Sequence, residues 1–193
     1  MLDSTSITNT LMSKWDYDQL IFERIIALLN SYLSRHSKCL VVRFDLRFPV
    51  CYMQVISNEL ISQFMQKIIQ KYKRQGLDPS YIWVREQDTS VNPHYHCALL
   101  LNGHKVRDFH HVFCNAQSLW GSTLGVDAFG LVHNCISREY VHGFKNGIMI
   151  ETYREDALLN YEAVIHQLSY LAKMRDKRDH GDPWRNLGMS QLH

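Results

Sequence analysis

The chain has 193 residues, of which 46% are hydrophobic and 21% charged, and its formal net charge is +2 at pH 7. These values are typical of one globular domain, and they exclude collagen-like, low-complexity and disulfide-dependent chains. With so small a net charge, a nucleic acid would have to bind to local basic patches. The five cysteines are odd in number and scattered, which predicts reduced thiols in a cytoplasmic protein. No apolar run approaches the ~20 residues of a membrane span, so no membrane partner is expected.

Hydrophobic periodicity predicts alternating helices and strands. Apolar residues at three- and four-residue steps indicate helices, and runs of β-branched and aromatic residues indicate strands. In chain order we expect a helix over residues 14–33, a strand over 39–48, a helix over 57–75, strands over 81–87 and 94–101, a helix over 107–119, strands over 131–136 and 147–152, and a helix over 156–178.

This order predicts an α+β fold, a single domain with a mainly antiparallel sheet of roughly five strands flanked by helices. The domain is expected over residues 38–180, between an N-terminal tail and helix over residues 1–37 and a surface tail over residues 181–193. A cluster of turn-forming residues over 88–93 separates two of the strands, so we expect these strands to form a hairpin.

Two histidines begin the second strand of this hairpin. His94 and His96 are one residue apart, so their side chains point to the same face of the strand and can converge on one metal ion. Glu86 is the candidate third ligand, because two imidazoles and a carboxylate leave positions open for a phosphate oxygen. A symmetrical six-residue turn would place Gln87 there instead, whereas a seven-residue turn or a bulge selects Glu86. For so short a motif, simple hydrogen bonding at the end of the sheet is the alternative.

Tyr170 lies on the polar face of the last predicted helix, almost opposite the apolar side chains of that helix. Lys173 follows one turn later on the same side. A tyrosine nucleophile must lose a proton whose ordinary pKa is ~10, and a neighbouring ammonium group favours the phenolate. The alternative is an amphipathic surface tyrosine without a chemical role.

Together these segments resemble the HUH endonucleases, which nick single-stranded DNA and are named for a His–hydrophobic–His motif. Residues 94–96 (His-Tyr-His) match that motif, and Tyr170 and Lys173 match a Tyr-x-x-Lys motif on a C-terminal helix. Glu86 matches the acidic metal ligand of that group.

A narrower resemblance covers residues 38–180. The runs WVREQ (residues 83–87) and NPHYHCALLLNG (residues 92–103) resemble the YagK/YfjJ C-terminal domain family, an inovirus-type replication-protein group found in bacterial prophages. This resemblance implies an HUH/Rep fold of the ferredoxin- or RRM-like kind.

The resemblance also implies a mechanism. His94, His96 and Glu86 would bind Mn²⁺ or Mg²⁺, of which Mn²⁺ is the better partner for imidazole. Tyr170, assisted by Lys173, would attack single-stranded DNA, perhaps in a hairpin, to give a 5′-phosphotyrosine link and a free 3′-hydroxyl that primes rolling-circle replication.

Partners follow from the same resemblance. The candidate contacts to the DNA backbone are Arg43, Arg47, Arg175, Lys177 and Arg178, and the candidates for stacking on bases are Trp83 and Tyr95. The sequence has no Gly-x-x-x-x-Gly-Lys-Ser/Thr loop, so opening a duplex would need a host helicase, and extending the nicked strand would need a host polymerase.

Three other functions stay open. One is a single-stranded nucleic-acid-binding module that does not cleave, which the distance from Tyr170 to the histidines would distinguish from a nickase. Another is a single-tyrosine transposase. The third is a structural zinc site, for which the candidate ligands match no zinc spacing well; they are His110, His111, Cys114, His133 and Cys135.

Overall fold

The structure of the protein, a computed structural model, describes residues 17–52, 57–87, 92–106, 108–135, 146–173 and 184–192. Its helices are α1 (Gln19–Arg35), α2 (Glu59–Arg74), α3 (His110–Leu124) and α4 (Ala157–Ser169), and a 3-10 turn (Tyr170–Ala172) follows α4. Its strands are β1 (Lys38–Leu46), β2 (Ser80–Glu86), β3 (His94–Asn102), β4 (Val132–Asn134), β5 (Ile148–Glu151) and β6 (Leu187–Met189). None of the helices in these ranges is long and apolar enough to span a bilayer.

The strands form one antiparallel sheet in the order β4–β1–β3–β2–β6, and β5 also pairs with β1. The outer edge of β1 is shared, because β5 pairs with its first half and β4 with its last three residues. The predicted α+β class with a mainly antiparallel sheet is therefore confirmed, although the described strands number six.

The additional strand is β6, which corrects the prediction of a surface tail over residues 181–193. β6 pairs with the middle of β2 and closes that edge of the sheet. Gly188 lies against Trp83 so closely that a Cβ atom at this position would collide with the indole ring. A strand of three residues with glycine in the middle is too short to show the alternation of apolar and polar residues by which strands are predicted.

Each face of the sheet packs against two helices. On one face, α2 and α3 cover residues such as Phe44 and Leu99. On the other face, α1 and α4 cover residues such as Val41 and Leu100. α1 itself contributes Leu29 to this second core, so the helix predicted to precede the domain is an integral part of the fold.

The last helix is shorter than predicted. α4 ends at Ser169 and the 3-10 turn ends at Ala172, whereas a helix was expected as far as residue 178. The backbone N–H of Asp18 donates a hydrogen bond to the Ala172 carbonyl at 2.7 Å, and Lys173 forms an isolated β-bridge with Tyr17. These contacts with the segment that precedes α1 thus accompany the end of the helix at this point.

α3 differs in the opposite sense, because it continues through Gly121, beyond residue 119 where the predicted helix ended, and ends at Leu124. A Cβ atom at Gly121 would approach the Val126 carbonyl oxygen to 2.8 Å, so glycine permits close packing of the following loop. Gly125 follows as the C-cap and has a φ of 72°, a left-handed conformation that favours glycine.

Candidate active site

Three neighbouring strands carry polar side chains at the same end of one sheet face. On the face covered by α1 and α4, β1 ends with Arg43 and Asp45, β2 ends with Glu86, and β3 begins with His94 and His96. The inner halves of these strands are apolar on this face. The antiparallel pairing of β3 with both of its neighbours brings the polar ends together. The site therefore lies at the border of the core.

The register of the hairpin decides which residue joins the histidines. Glu86 pairs directly with His94, and the seven residues 87–93 connect the two strands. Glu86 therefore lies on the histidine face, as the seven-residue alternative required. The Gln87 side chain instead accepts a hydrogen bond from Arg85 at 2.9 Å.

Glu86, His94 and His96 each offer one potential ligand atom, and these three atoms lie within 4.8 Å of one another. The His94 Nε2 atom is 3.8 Å from a Glu86 carboxylate oxygen, and the His96 Nε2 atom hydrogen-bonds to the same oxygen. Two imidazole nitrogens and a carboxylate oxygen fit a divalent cation. Binding requires the proton between His96 and Glu86 to leave, since a metal takes the lone pair of that nitrogen.

Asp45 is a site residue that the sequence places on one face of a strand with Arg43 and Arg47, a face that could line a nucleic-acid channel, without indicating its contact with the histidines. Its Oδ1 atom accepts a hydrogen bond from His96 Nδ1 at 2.7 Å, and its side chain is buried. A carboxylate in this position fixes the tautomer and orientation of a metal-binding histidine. The signal that identifies Asp45 is the pairing of β1 with β3, which sets Asp45 opposite His96.

The pKa values of the site follow from these contacts. Burial favours neutral His96, but its hydrogen bonds to Asp45 and Glu86 prevail and raise its pKa above the ordinary value. Burial opposes ionisation of Asp45, yet the hydrogen bond and the charge of His96 hold the pKa of this carboxyl far below its usual range. Burial, followed by the charge of His96, lowers the pKa of His94. In the metal-free protein these shifts favour the imidazolium form of His96, which lies between two carboxylates, and the neutral form of His94.

Tyr170 lies beside the histidines. Its ring centre is 5.2 Å from that of His96, and the two planes meet at 83°. The Arg43 guanidinium carbon is 4.3 Å from the centre of the Tyr170 ring, and the Lys173 ammonium nitrogen is 5.8 Å from it. Tyr170 is 44% exposed, so a ligand can reach the ring from solvent. The structure therefore brings the predicted nucleophile, its lysine and the predicted metal ligands to one place.

The pKa of Tyr170 reflects the mixed charges around it. Burial raises this pKa, and the negative charge of Glu86 raises it further, whereas the guanidinium of Arg43 opposes the rise. In the metal-free protein the neutral phenol is therefore the favoured form.

Comparison with known proteins identifies the family. The profile of the YagK/YfjJ C-terminal domain matches residues 3–190. The chain belongs to the YagK/YfjJ C-terminal domain family. It is also 26% identical, over 201 aligned residues, to the protein named "Uncharacterized protein YagK" from Escherichia coli (strain K12), and the alignment covers 88% of this chain and 91% of that protein. No solved structure matches the chain.

The basic residues predicted to contact DNA differ in their surroundings in this YagK/YfjJ-type domain. Arg43 is only 8% exposed, and its Nη2 atom lies 3.5 Å from Asp45 Oδ1. The Asn146 side chain fixes the Arg43 backbone by bonding to both its N–H and its carbonyl. Arg43 thus lines the site, whereas Arg47, just beyond β1, is exposed. The other predicted contacts, Arg175, Lys177 and Arg178, lie outside the described residues.

Three aromatic residues belong to the core of the domain. Trp83 and Tyr95, considered for base stacking, are buried against each other on the sheet face opposite the site, with their ring centres 5.7 Å apart. Tyr161 of α4 is also buried, and its hydroxyl donates to Asn30 of α1 at 2.9 Å. Packing therefore accounts for all three.

The residues of the zinc alternative divide into two groups. His133 and Cys135 lie together beside Asp45. His110 and Cys114 are one turn apart on α3, where their Nε2 and Sγ atoms are separated by 3.6 Å. Within the part of the chain that the structure describes, neither these two residues nor His111 belongs to a cluster of three potential ligands.

Proposed function

We propose that this protein is a metal-dependent endonuclease that nicks and rejoins single-stranded DNA through Tyr170, in the rolling-circle replication of a phage or plasmid-like element. The observation that carries the proposal is the distance of 5.2 Å between the ring centres of Tyr170 and His96, because it sets a potential nucleophile beside potential metal ligands. A Tyr170 far from the histidines would have opposed cleavage, and the short separation between the two rings supports the proposal.

His94, His96 and Glu86 would hold Mn²⁺ or Mg²⁺, and such an ion polarises a scissile phosphate and stabilises the charge that develops on it. Asp45 holds the His96 ring in place through its Nδ1 atom. His94 is only partly buried, so it forms the side of the site that a DNA strand can approach.

Tyr170 supplies the nucleophile. Its hydroxyl loses a proton to solvent, its oxygen bonds to phosphorus, and the bond between phosphorus and the 3′ oxygen breaks, so that the 3′ oxygen takes up a proton. The 5′ end remains linked to Tyr170, and the reverse attack by the 3′-hydroxyl rejoins the strand without ATP. Arg43 and Lys173 lower the cost of the phenolate because both cations lie beside the ring.

Arg47 and the basic residues that follow Lys173 would bind the DNA backbone, so affinity should fall as salt rises. A host helicase would open duplex DNA, and a host polymerase would extend the 3′-hydroxyl.

The test is a cleavage assay with a pool of labelled single-stranded DNA and Mn²⁺, read as a protein–DNA adduct that survives denaturation. We expect an adduct with the natural protein and none with Tyr170→Phe or His96→Ala. Tyr153→Phe is the matched control, because Tyr153 is 64% exposed and bonds to Glu151 rather than to the site. An adduct that survives Tyr170→Phe would exclude this nucleophile. Salt-sensitive binding without an adduct would favour the non-cleaving module.

A further inference from the structure

A second cluster of potential metal ligands lies beside the first, where β4 pairs with the end of β1. Asp45 pairs directly with His133, and Cys135 follows His133 by two residues, so all three lie on the same side of the sheet. Their potential ligand atoms lie within 4.8 Å of one another. Asp45 belongs to this cluster and also hydrogen-bonds to His96 of the first.

The donor set differs from that of the first cluster. It combines a thiol, an imidazole and a carboxylate, a combination that suits a borderline-soft ion such as Zn²⁺ better than Mg²⁺. The Cys135 Sγ atom and the His133 Nδ1 atom are 3.9 Å apart. In a tetrahedral zinc site, bonds of about 2.3 Å to sulfur and about 2.05 Å to nitrogen place these atoms about 3.6 Å apart. A small side-chain adjustment therefore suffices.

Burial leaves the cluster closed on one side and open on the other. Asp45 and Cys135 are buried, whereas His133 is exposed and gives an ion a path from solvent. The Gln167 amide nitrogen donates to the Cys135 carbonyl at 3.4 Å, while its side-chain oxygen is buried without a hydrogen-bond partner in the described ranges. Gln167 thus contacts the backbone of the residue that carries the thiol, and its buried oxygen is a polar atom that a cation-bound water could satisfy.

We propose that Asp45, His133 and Cys135 bind a thiophilic divalent cation of the Zn²⁺ class, separately from the ion at Glu86, His94 and His96. The Cys135 thiol releases its proton to solvent when the metal–sulfur bond forms. The Arg43 guanidinium, 3.5 Å from Asp45, opposes a further cation, so the affinity should be lower than that of an all-cysteine site. Because Asp45 is shared, an ion here is coupled to the orientation of His96.

Co²⁺ is the probe, because a cobalt–thiolate bond gives a charge-transfer absorption that nitrogen and oxygen ligands do not give. The full chain is titrated with Co²⁺ in the presence of a phosphine reductant. We expect this absorption with the natural protein and with Glu86→Gln, and its loss with Cys135→Ser. Cys114→Ser is the matched control, because Cys114 is an exposed thiol that lies 3.6 Å from a histidine nitrogen.

Three outcomes would overturn the proposal: the absorption persists in Cys135→Ser, it is lost in Cys114→Ser, or it is absent from the natural protein. His133→Ala guards against misfolding of the cysteine variant, since His133 is exposed. This substitution should weaken Co²⁺ binding at least ~10-fold, because removing a residue that only hydrogen-bonds to a metal ligand already lowers metal affinity by that factor. Unchanged affinity would also refute the assignment. Zn²⁺ should displace Co²⁺, and equal displacement by Mg²⁺ would exclude a thiophilic site. None of these readouts depends on DNA cleavage.

Discussion

The substitution Asp45→Asn tests whether a carboxylate holds His96 as an imidazolium. Asparagine has nearly the same shape as aspartate and can still accept the hydrogen bond from His96 Nδ1, but it carries no charge. The substitution also removes the partner that lies 3.5 Å from the Arg43 guanidinium. We expect a folded protein that is less stable than the natural one when metal is absent.

The expected loss can be estimated from the contact. A hydrogen bond to a charged group contributes about 1.5–3 kcal/mol and a neutral one about 0.5–1.5 kcal/mol, so the free energy of unfolding should fall by about 1–1.5 kcal/mol. The folded-state pKa of His96 lies above its ordinary value, so its contribution is fully present below about pH 6.5 and disappears as the pH rises through the folded-state pKa. The difference between the two proteins should therefore be largest in mildly acidic solution.

The assay is urea unfolding followed by circular dichroism in the presence of EDTA, at about pH 6 and at a pH well above the raised folded-state pKa of His96. Glu155→Gln is the matched control, because it removes the charge of an exposed carboxylate and should change stability little at either pH. A loss for Asp45→Asn that is equal at both pH values would refute a charged His96. Metal affinity offers a second measurement, which should fall about 10–100-fold.

Other perturbations report on neighbouring parts of the structure. Arg43→Met should raise the pKa of Tyr170 further, because it removes the cation that opposes the rise. The pKa can be measured by NMR titration of protein labelled with ¹³C-tyrosine, with the Tyr170 signal assigned from the Tyr170→Phe variant. An unchanged pKa would contradict this reasoning. Gly188→Ala should lower stability by about 1–3 kcal/mol through overpacking against Trp83, and an unchanged thermal midpoint would contradict the packing of β6. Divalent-metal affinity should fall as the pH drops through the raised pKa of His96, and calorimetry in two buffers that shows no proton release would oppose this.

The sequence predicted those parts of the site that depend on local periodicity. One intervening residue is enough to put His94 and His96 on one face, since side chains alternate along any strand. Choosing Glu86 as the third ligand also required the length of the connection to β3. Local sequence patterns allow either six or seven residues for this connection, and only the structure decides between them. The helical stripe likewise set Tyr170 apart from the buried residues of α4.

Contacts between distant segments were beyond sequence reasoning. Asp45 and His96 are 51 residues apart, and only the register of β1 against β3 joins them. β6 is recognisable only beside β2, because a three-residue strand gains its hydrogen bonds and packing from its neighbour. In each case the missing information is a pairing between segments.

The end of α4 connects this non-local packing to the proposed chemistry. Leu171 and Ala172 are buried against α1 and the sheet, whereas Tyr170, directly before them, is 44% exposed and contacts His96. The Asp18 backbone holds the Ala172 carbonyl, so the segment that begins α1 fixes the turn that carries Tyr170. A continuous α-helix would have left Tyr170 on a polar helix face with no such anchor. The position of the proposed nucleophile therefore depends on the N-terminal segment, in accord with a family match that begins at residue 3 and not at β1.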